Sequence, residues 1–128
     1  MNKKGFTLIE LLVAVAIVMV LGVLAMVNYG GAQKKARDGR RLSDLEKIRV
    51  ALELYRQALG TYPENRDDLK PNYLQDWPSD PKAGYTYDYN RPTAYTYTAK
   101  AQMEDLGSTN MPAESGCGGS CNYKVNNP

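Results

Sequence analysis

Few side chains in this sequence are equipped for chemistry, and one of them stands where a charge is least welcome. The run KKGFTLIELLVAVAIVMVLGVLAMV, from Lys3 to Val27, is apolar from Phe6 onward except for Thr7 and Glu10. A carboxylate at the centre of such a helix is unfavourable by about 2.5–3.5 kcal/mol on membrane-insertion scales, and by less toward an end. An acid in apolar surroundings needs a cation beside it, because an unpaired buried charge is costly. The sequence holds a candidate. Cutting the Gly5–Phe6 bond would free an amino group on Phe6, four residues before Glu10, and residues four apart share a helix face. Amine and carboxylate could then meet within one chain or between staggered neighbouring chains, in the correct axial register.

The remaining side chains offer little reactivity. With 16 Lys+Arg against 14 Asp+Glu the net charge is +2, and Lys3 and Lys4 account for all of it. That argues against a nucleic-acid binder working through a strong overall basic field. There is no histidine, which removes histidine acid–base catalysis and most zinc sites. The two cysteines, Cys117 and Cys121 in CGGSC, cannot complete a four-ligand zinc cage and are spaced one residue too widely for a CxxC redox pair. They read as a small structural disulfide in an oxidising compartment. No serine has a histidine partner and no glycine-rich phosphate loop is present, so the chain is read as a non-enzyme without cofactor or metal.

Three readings compete for the apolar run. A secretory signal has a core of 7–15 residues with a small-x-small cleavage site, whereas this core is longer and lacks a convincing site. A plain single-pass anchor explains the length: the 22 residues from Phe6 to Val27 make a helix of about 33 Å, near the bilayer thickness. With Lys3 and Lys4 ahead of it, the N-terminus lies in the cytoplasm. Neither reading accounts for Glu10. A helix that resides in lipid and later packs against copies of itself does.

Beyond Gly30-Gly31, Leu42, Leu45, Ile48, Leu52, Tyr55 and Leu59 recur at helical spacing, so one long helix is expected over residues 6–59, with weak points at Gly22, Gly30-Gly31 and Gly39. The basic cluster Lys34, Lys35, Arg37, Arg40 and Arg41 reads as solvated helix surface; contact with acidic residues of a neighbouring subunit, or with DNA, is the alternative. Residues 61–83 form a loop punctuated by Pro71, Pro78 and Pro81, with Asn65 capping a short turn and Leu69, Tyr73, Leu74 and Trp77 folding back on the core. GYTYDYN and AYTYTAKAQME alternate as strands around a turn at Arg91-Pro92-Thr93, placing Tyr95, Tyr97, Ala99, Ala101 and Met103 on one face. CNYKVNNP supplies a third strand, and Asp105–Ser120 a connecting loop pinned by the cysteines. The expected fold is α+β: a long N-terminal helix, apolar in its first half, on a small three-stranded antiparallel sheet. The alternating tyrosines read as core, against a stacking platform for sugars or bases.

Lys3-Lys4-Gly5-Phe6-Thr7-Leu8-Ile9-Glu10 followed by the apolar run resembles the class III signal of type IV pilins and type II secretion pseudopilins. The resemblance implies a leader at 1–5 removed after Gly5 by a membrane prepilin peptidase that also N-methylates Phe6, with Glu10 aligning each subunit as it enters a filament. It implies a transmembrane and filament-core helix at 6–29 and an extracytoplasmic domain at 30–128, divided into amphipathic helix 30–60, loop 61–83, and sheet with C-terminal loop 84–128. The expected partners are copies of the chain in a helical polymer, a cytoplasmic assembly ATPase, a platform protein, and the membrane before assembly. The expected location is the inner or cytoplasmic membrane, then a surface pilus or a periplasmic pseudopilus. A type IV pilus is the first expectation; a pseudopilus of secretion or DNA uptake, and a tethered domain that never polymerises, are the alternatives. Major pseudopilins usually bind calcium through an Asp-rich loop, where this chain offers only Glu104, Asp105 and Glu114 among small polar residues, so a dedicated calcium site is left open without support.

Overall fold

The computed structural model describes residues 5–127. Lys3 and Lys4, the basic flank of the expected leader, lie outside the described residues. The chain divides into two compact units, Met1–Gln33 and Lys34–Pro128. One helix, α1, runs Leu8–Leu59 without interruption at Gly22, Gly30, Gly31 or Gly39. It begins two residues later than the spacing suggested, because Thr7 is its N-cap and Gly5–Thr7 is not helical. It ends where Gly60 adopts φ +81° and returns its N–H to the Arg56 carbonyl at 2.7 Å, a left-handed stop that glycine adopts without a Cβ penalty.

The second unit is built on that helix. Strands β1 (Asp88–Thr93), β2 (Thr96–Ala101) and β5 (Tyr123–Asn126) form an antiparallel sheet in the order β1-β2-β5. Tyr89 faces Ala99 across the first pair and Val125 faces Ala99 across the second. Alternation along β2 buries Tyr97, Ala99 and Ala101, and Met103 continues the pattern just past the strand. They close on Leu45, Ile48, Ala51 and Leu52 of α1, on Tyr62 and Leu69, and on Tyr87. Each such large apolar side chain contributes about 1.5–3 kcal/mol by leaving water. Tyr62 and Tyr97 meet edge-on with centroids 4.7 Å apart, so the tyrosines line the core as expected. Tyr73, Leu74 and Trp77 are partly buried against it.

Several local expectations are corrected. Arg91, Pro92 and Thr93 belong to β1, and the turn falls at Ala94–Tyr95, which puts Tyr95 out in solvent at 62% exposure rather than on the buried face. Leu42 and Leu59 are exposed as well, since the buried stripe of α1 passes through Asp38, Arg41, Asp44 and Leu45. Asp105–Ser120 is not all loop: a 3-10 turn (Leu106–Ser108) precedes a two-stranded hairpin, β3 (Glu114–Gly116) and β4 (Gly119–Cys121). Cys117 and Cys121 are bonded across the tip of that hairpin. Gly118 lies so close to the Gly84 carbonyl, with φ +74°, that no Cβ fits there.

The largest correction concerns the basic cluster. Arg41 is fully buried rather than solvated. Its guanidinium grips Asp80 with two bonds of 2.7 Å, Asp38 at 2.6 Å and Glu104 at 3.0 Å. Arg37 grips Glu104 from the other side at 2.7 and 2.8 Å, and Asp38 also accepts the Glu104 and Asp105 backbone N–H groups. Burial works against the Arg41 charge, but the bonds to Asp80, Asp38 and Glu104 outweigh it and raise its pKa. The Arg37 bonds, opposed by burial and helped by Arg41, hold the Glu104 carboxyl down to about 2. One cation thus ties three segments of chain together.

Candidate functional site

The residues marked for processing and assembly lie at the start of α1. Thr7 is in the N-cap position and its carbonyl accepts the Leu11 N–H at 3.3 Å. Three residues on, Glu10 reaches back: its Oε2 accepts the Thr7 N–H at 2.9 Å and the Thr7 hydroxyl at 2.7 Å, while the Glu10 N–H donates to Thr7 Oγ1 at 3.3 Å. This reciprocal arrangement is a capping box, which satisfies two otherwise orphaned donors at a helix start. The carboxylate also sits at the positive end of the helix dipole. In the uncut chain Glu10 is therefore locally held, and its Oε1 accepts no bond among the described residues.

Thr7 is the functional residue that spacing arguments passed over. Its signal, Thr-x-x-Glu ahead of an apolar run, is legible in the sequence. The box also alters the expected geometry between Phe6 and Glu10. Phe6 precedes the cap, so its nitrogen does not lie one helical turn below Glu10. It is instead the nitrogen next to the Thr7 N–H that the carboxylate already holds.

From Phe6 to Met26 every large apolar side chain is exposed, with Phe6 at 90%, Leu12 at 63% and Leu24 at 59%. An 18-residue window of α1 has mean hydropathy 2.9, long and apolar enough to cross a membrane. A continuous surface of this kind requires lipid or protein against it.

The carboxylates singled out for calcium each have another partner. Glu104 is taken by Arg37 and Arg41, Asp105 accepts the Gly107 N–H at 3.1 Å, and Glu114 pairs with Lys100 at 2.7 Å. Among the described residues no group of three or more acidic, histidine or cysteine side chains is placed to hold a metal ion.

Comparison with known proteins agrees with this layout. Residues 1–26 match the prokaryotic N-terminal methylation motif. Type II secretion system core protein G of Pectobacterium carotovorum is 33% identical over 69 residues, 54% of this chain and 44% of that one. The type IV wide pilus major component PilA4 of Thermus thermophilus is 35% identical over 68 residues, 53% of this chain and 52% of that one. These matches span about half the length of the relatives concerned. Core protein G of Vibrio cholerae serotype O1 is 30% identical over 107 residues, 71% of this chain and 73% of that one. No solved structure matches. Motif, α+β architecture and the extent of the Vibrio cholerae match together place the chain in the family of type IV pilins and type II secretion pseudopilins.

Proposed function

We propose that the chain is a filament subunit made as a precursor, cut between Gly5 and Phe6, N-methylated on Phe6, and polymerised through its apolar helix. The observation that carries this reading is the unbroken exposure of Phe6–Met26 around a single acid held by Thr7. Lipid covers that surface before assembly and neighbouring helices cover it afterwards. Cleavage adds an ammonium next to a carboxylate whose second oxygen has no partner among the described residues, and it can be received on the same chain or a neighbour. Two charges that are each unfavourable in an apolar bundle are satisfied together in one register, so Glu10 aligns subunits rather than adding bulk stability. A prepilin peptidase, a cytoplasmic assembly ATPase and a platform protein are the partners this requires.

The filament is read as a type IV pilus, supported by the disulfide-closed hairpin and by carboxylates that, among the described residues, do not converge. A type II secretion pseudopilus is the second reading, favoured by the long match to the Vibrio cholerae protein. The test begins with mass spectrometry of the mature chain, which should show a methylated N-terminal Phe6. An intact Met1 in mature material would overturn the reading in favour of a simple tether. Glu10→Ala should leave membrane insertion intact and abolish incorporation; normal filaments from that variant would end the alignment argument. Micrographs of cells with and without the gene separate surface pili from a short periplasmic filament.

A further inference from the structure

Away from the helix, the second unit sets uncommitted positive charge beside an apolar hollow. A cavity of about 380 Å³ is lined by Arg66 and by the segment 77–87, with Trp77, Tyr85 and Tyr87 among its walls. Small-ligand sites run from about 300 to 1,000 Å³ and are mostly apolar with a few polar groups. Two cations line this one. Arg66 holds its guanidinium 5.6 Å from the Trp77 ring centroid, and Lys82 its ammonium 4.4 Å from that of Tyr85. Arg66 is exposed and has no ion-pair partner among the described residues. Lys82 is shared with Glu104 at 3.5 Å. Asp80 lines the cavity too, but Arg41 already holds both of its oxygens. The charge left to the cavity is positive.

Its walls are fastened. The Lys82 N–H donates to Asp80 at 2.8 Å, the Tyr85 N–H returns to the Lys82 carbonyl at 3.2 Å, and the Thr86 N–H meets the Cys117 carbonyl at 3.0 Å. Trp77 packs edge-on against Tyr89, and Arg66 opens a 3-10 turn whose Leu69 is buried in the core. Arg66 and Tyr87 also line a second cavity, of about 300 Å³, together with Glu64, Asp67 and Asp88. Carboxylates accept hydrogen bonds from hydroxyl groups and repel further anions.

We infer that the two cavities bind an acidic saccharide. A hexuronate unit occupies the first, its carboxylate on Arg66 and Lys82 and its ring C–H groups against Trp77 and Tyr85. The adjoining sugar occupies the second, where its hydroxyls donate to Asp67 and Asp88. Charge selects this class of ligand. A neutral sugar leaves Arg66 unpaired, and an acidic peptide or a nucleic acid sets more negative charge against Glu64, Asp67 and Asp88. One carboxylate followed by hydroxyls suits both halves. The inference stands whether the filament is a pilus or a pseudopilus.

Trp77 is the one tryptophan in the sequence, so its fluorescence reports on the cavity directly. The full chain in detergent micelles is titrated with cellobiouronate (glucuronate joined to glucose), with cellobiose, with acetate and with tetraglutamate. Cellobiouronate should give a saturable change at millimolar concentration, and the other three should bind at least about tenfold more weakly, as expected when a charged hydrogen bond or its supporting contacts are lost. Arg66→Gln, at an exposed position, should weaken cellobiouronate by a similar factor. Lys124→Gln, which removes a cation outside both cavities, should leave its affinity unchanged. No saturable change with cellobiouronate, equal binding of any of the other three probes, unaltered affinity in Arg66→Gln, or an equal loss in Lys124→Gln would each overturn the inference.

Discussion

Replacing Arg41 with methionine keeps most of the side chain's length and removes all five of its donors. Its four hydrogen bonds then vanish, but the three carboxylates do not suffer equally. Glu104 keeps Arg37 and Lys82, and Asp38 keeps the backbone N–H groups of Glu104 and Asp105. Asp80, whose side chain is 1% exposed, keeps the Lys82 N–H and loses its countercharge. Removing one member of a buried pair costs about 3–5 kcal/mol. In a domain of this size each kcal/mol moves Tm by about 4–8 °C, so Arg41→Met should lower Tm by at least about 12 °C. The pH dependence identifies the cause. In wild type the Glu104 carboxyl is held from its usual 4.5 down to about 2, worth about 3 kcal/mol, fully present above pH 4.5 and lost as pH falls toward 2. Part of that hold comes from Arg41, so the variant has less of it to lose as the pH falls. The deficit should therefore narrow between pH 7 and pH 3. Thermal unfolding of the full chain in micelles, followed by near-UV circular dichroism, measures both. A drop under about 5 °C at pH 7, or a deficit that does not shrink with acid, would refute the reasoning.

Thr7→Val removes the hydroxyl from the helix cap and should destabilise the first turn by about 1 kcal/mol, seen as faster amide exchange at Leu8–Leu11, with Thr7→Ser restoring wild-type rates. Tyr97→Phe deletes a buried hydroxyl that has no hydrogen-bond partner among the described residues, so stability should be unchanged or rise by up to about 1 kcal/mol; a fall beyond that would show the hydroxyl is satisfied. Gly118→Ala forces a Cβ against the Gly84 carbonyl at a left-handed backbone position and should cost more than about 2 kcal/mol, read as a lowered Tm, whereas an alanine at Gly31, where a Cβ meets open space, should cost nothing.

Periodicity disclosed the elements well and their neighbours badly. The three- and four-residue spacing of Leu45, Ile48 and Leu52 and the alternation through Tyr97, Ala99 and Ala101 each report local geometry, so helix, strand and buried face could be read directly. The motif matched over residues 1–26 is local in the chain, and was legible for the same reason. Arg41 was not. Its type and charged neighbours describe a solvated helix face, and its partners Asp80 and Glu104 lie 39 and 63 residues away, where no local pattern reaches. The β3–β4 hairpin was missed because GCGGSC is too short and too poor in apolar residues to alternate. The turn was misplaced because proline suggests a break, while at an edge strand it is tolerated.

That long reach of Arg41 bears on how the domain acquires its structure. Segments around residues 38, 80 and 104 must all be present before the guanidinium has all of its partners, and β2 waits longer still for β5 at residues 123–126. Contacts so distant along the chain make folding slow, because the loops between them must close before any contact rewards it. A partial chain ending before Glu104 would lack the third carboxylate on Arg41 and hold only a two-stranded ribbon, which does not persist alone. The C-terminal third therefore times the whole process: the domain snaps shut when its tail arrives, and not before.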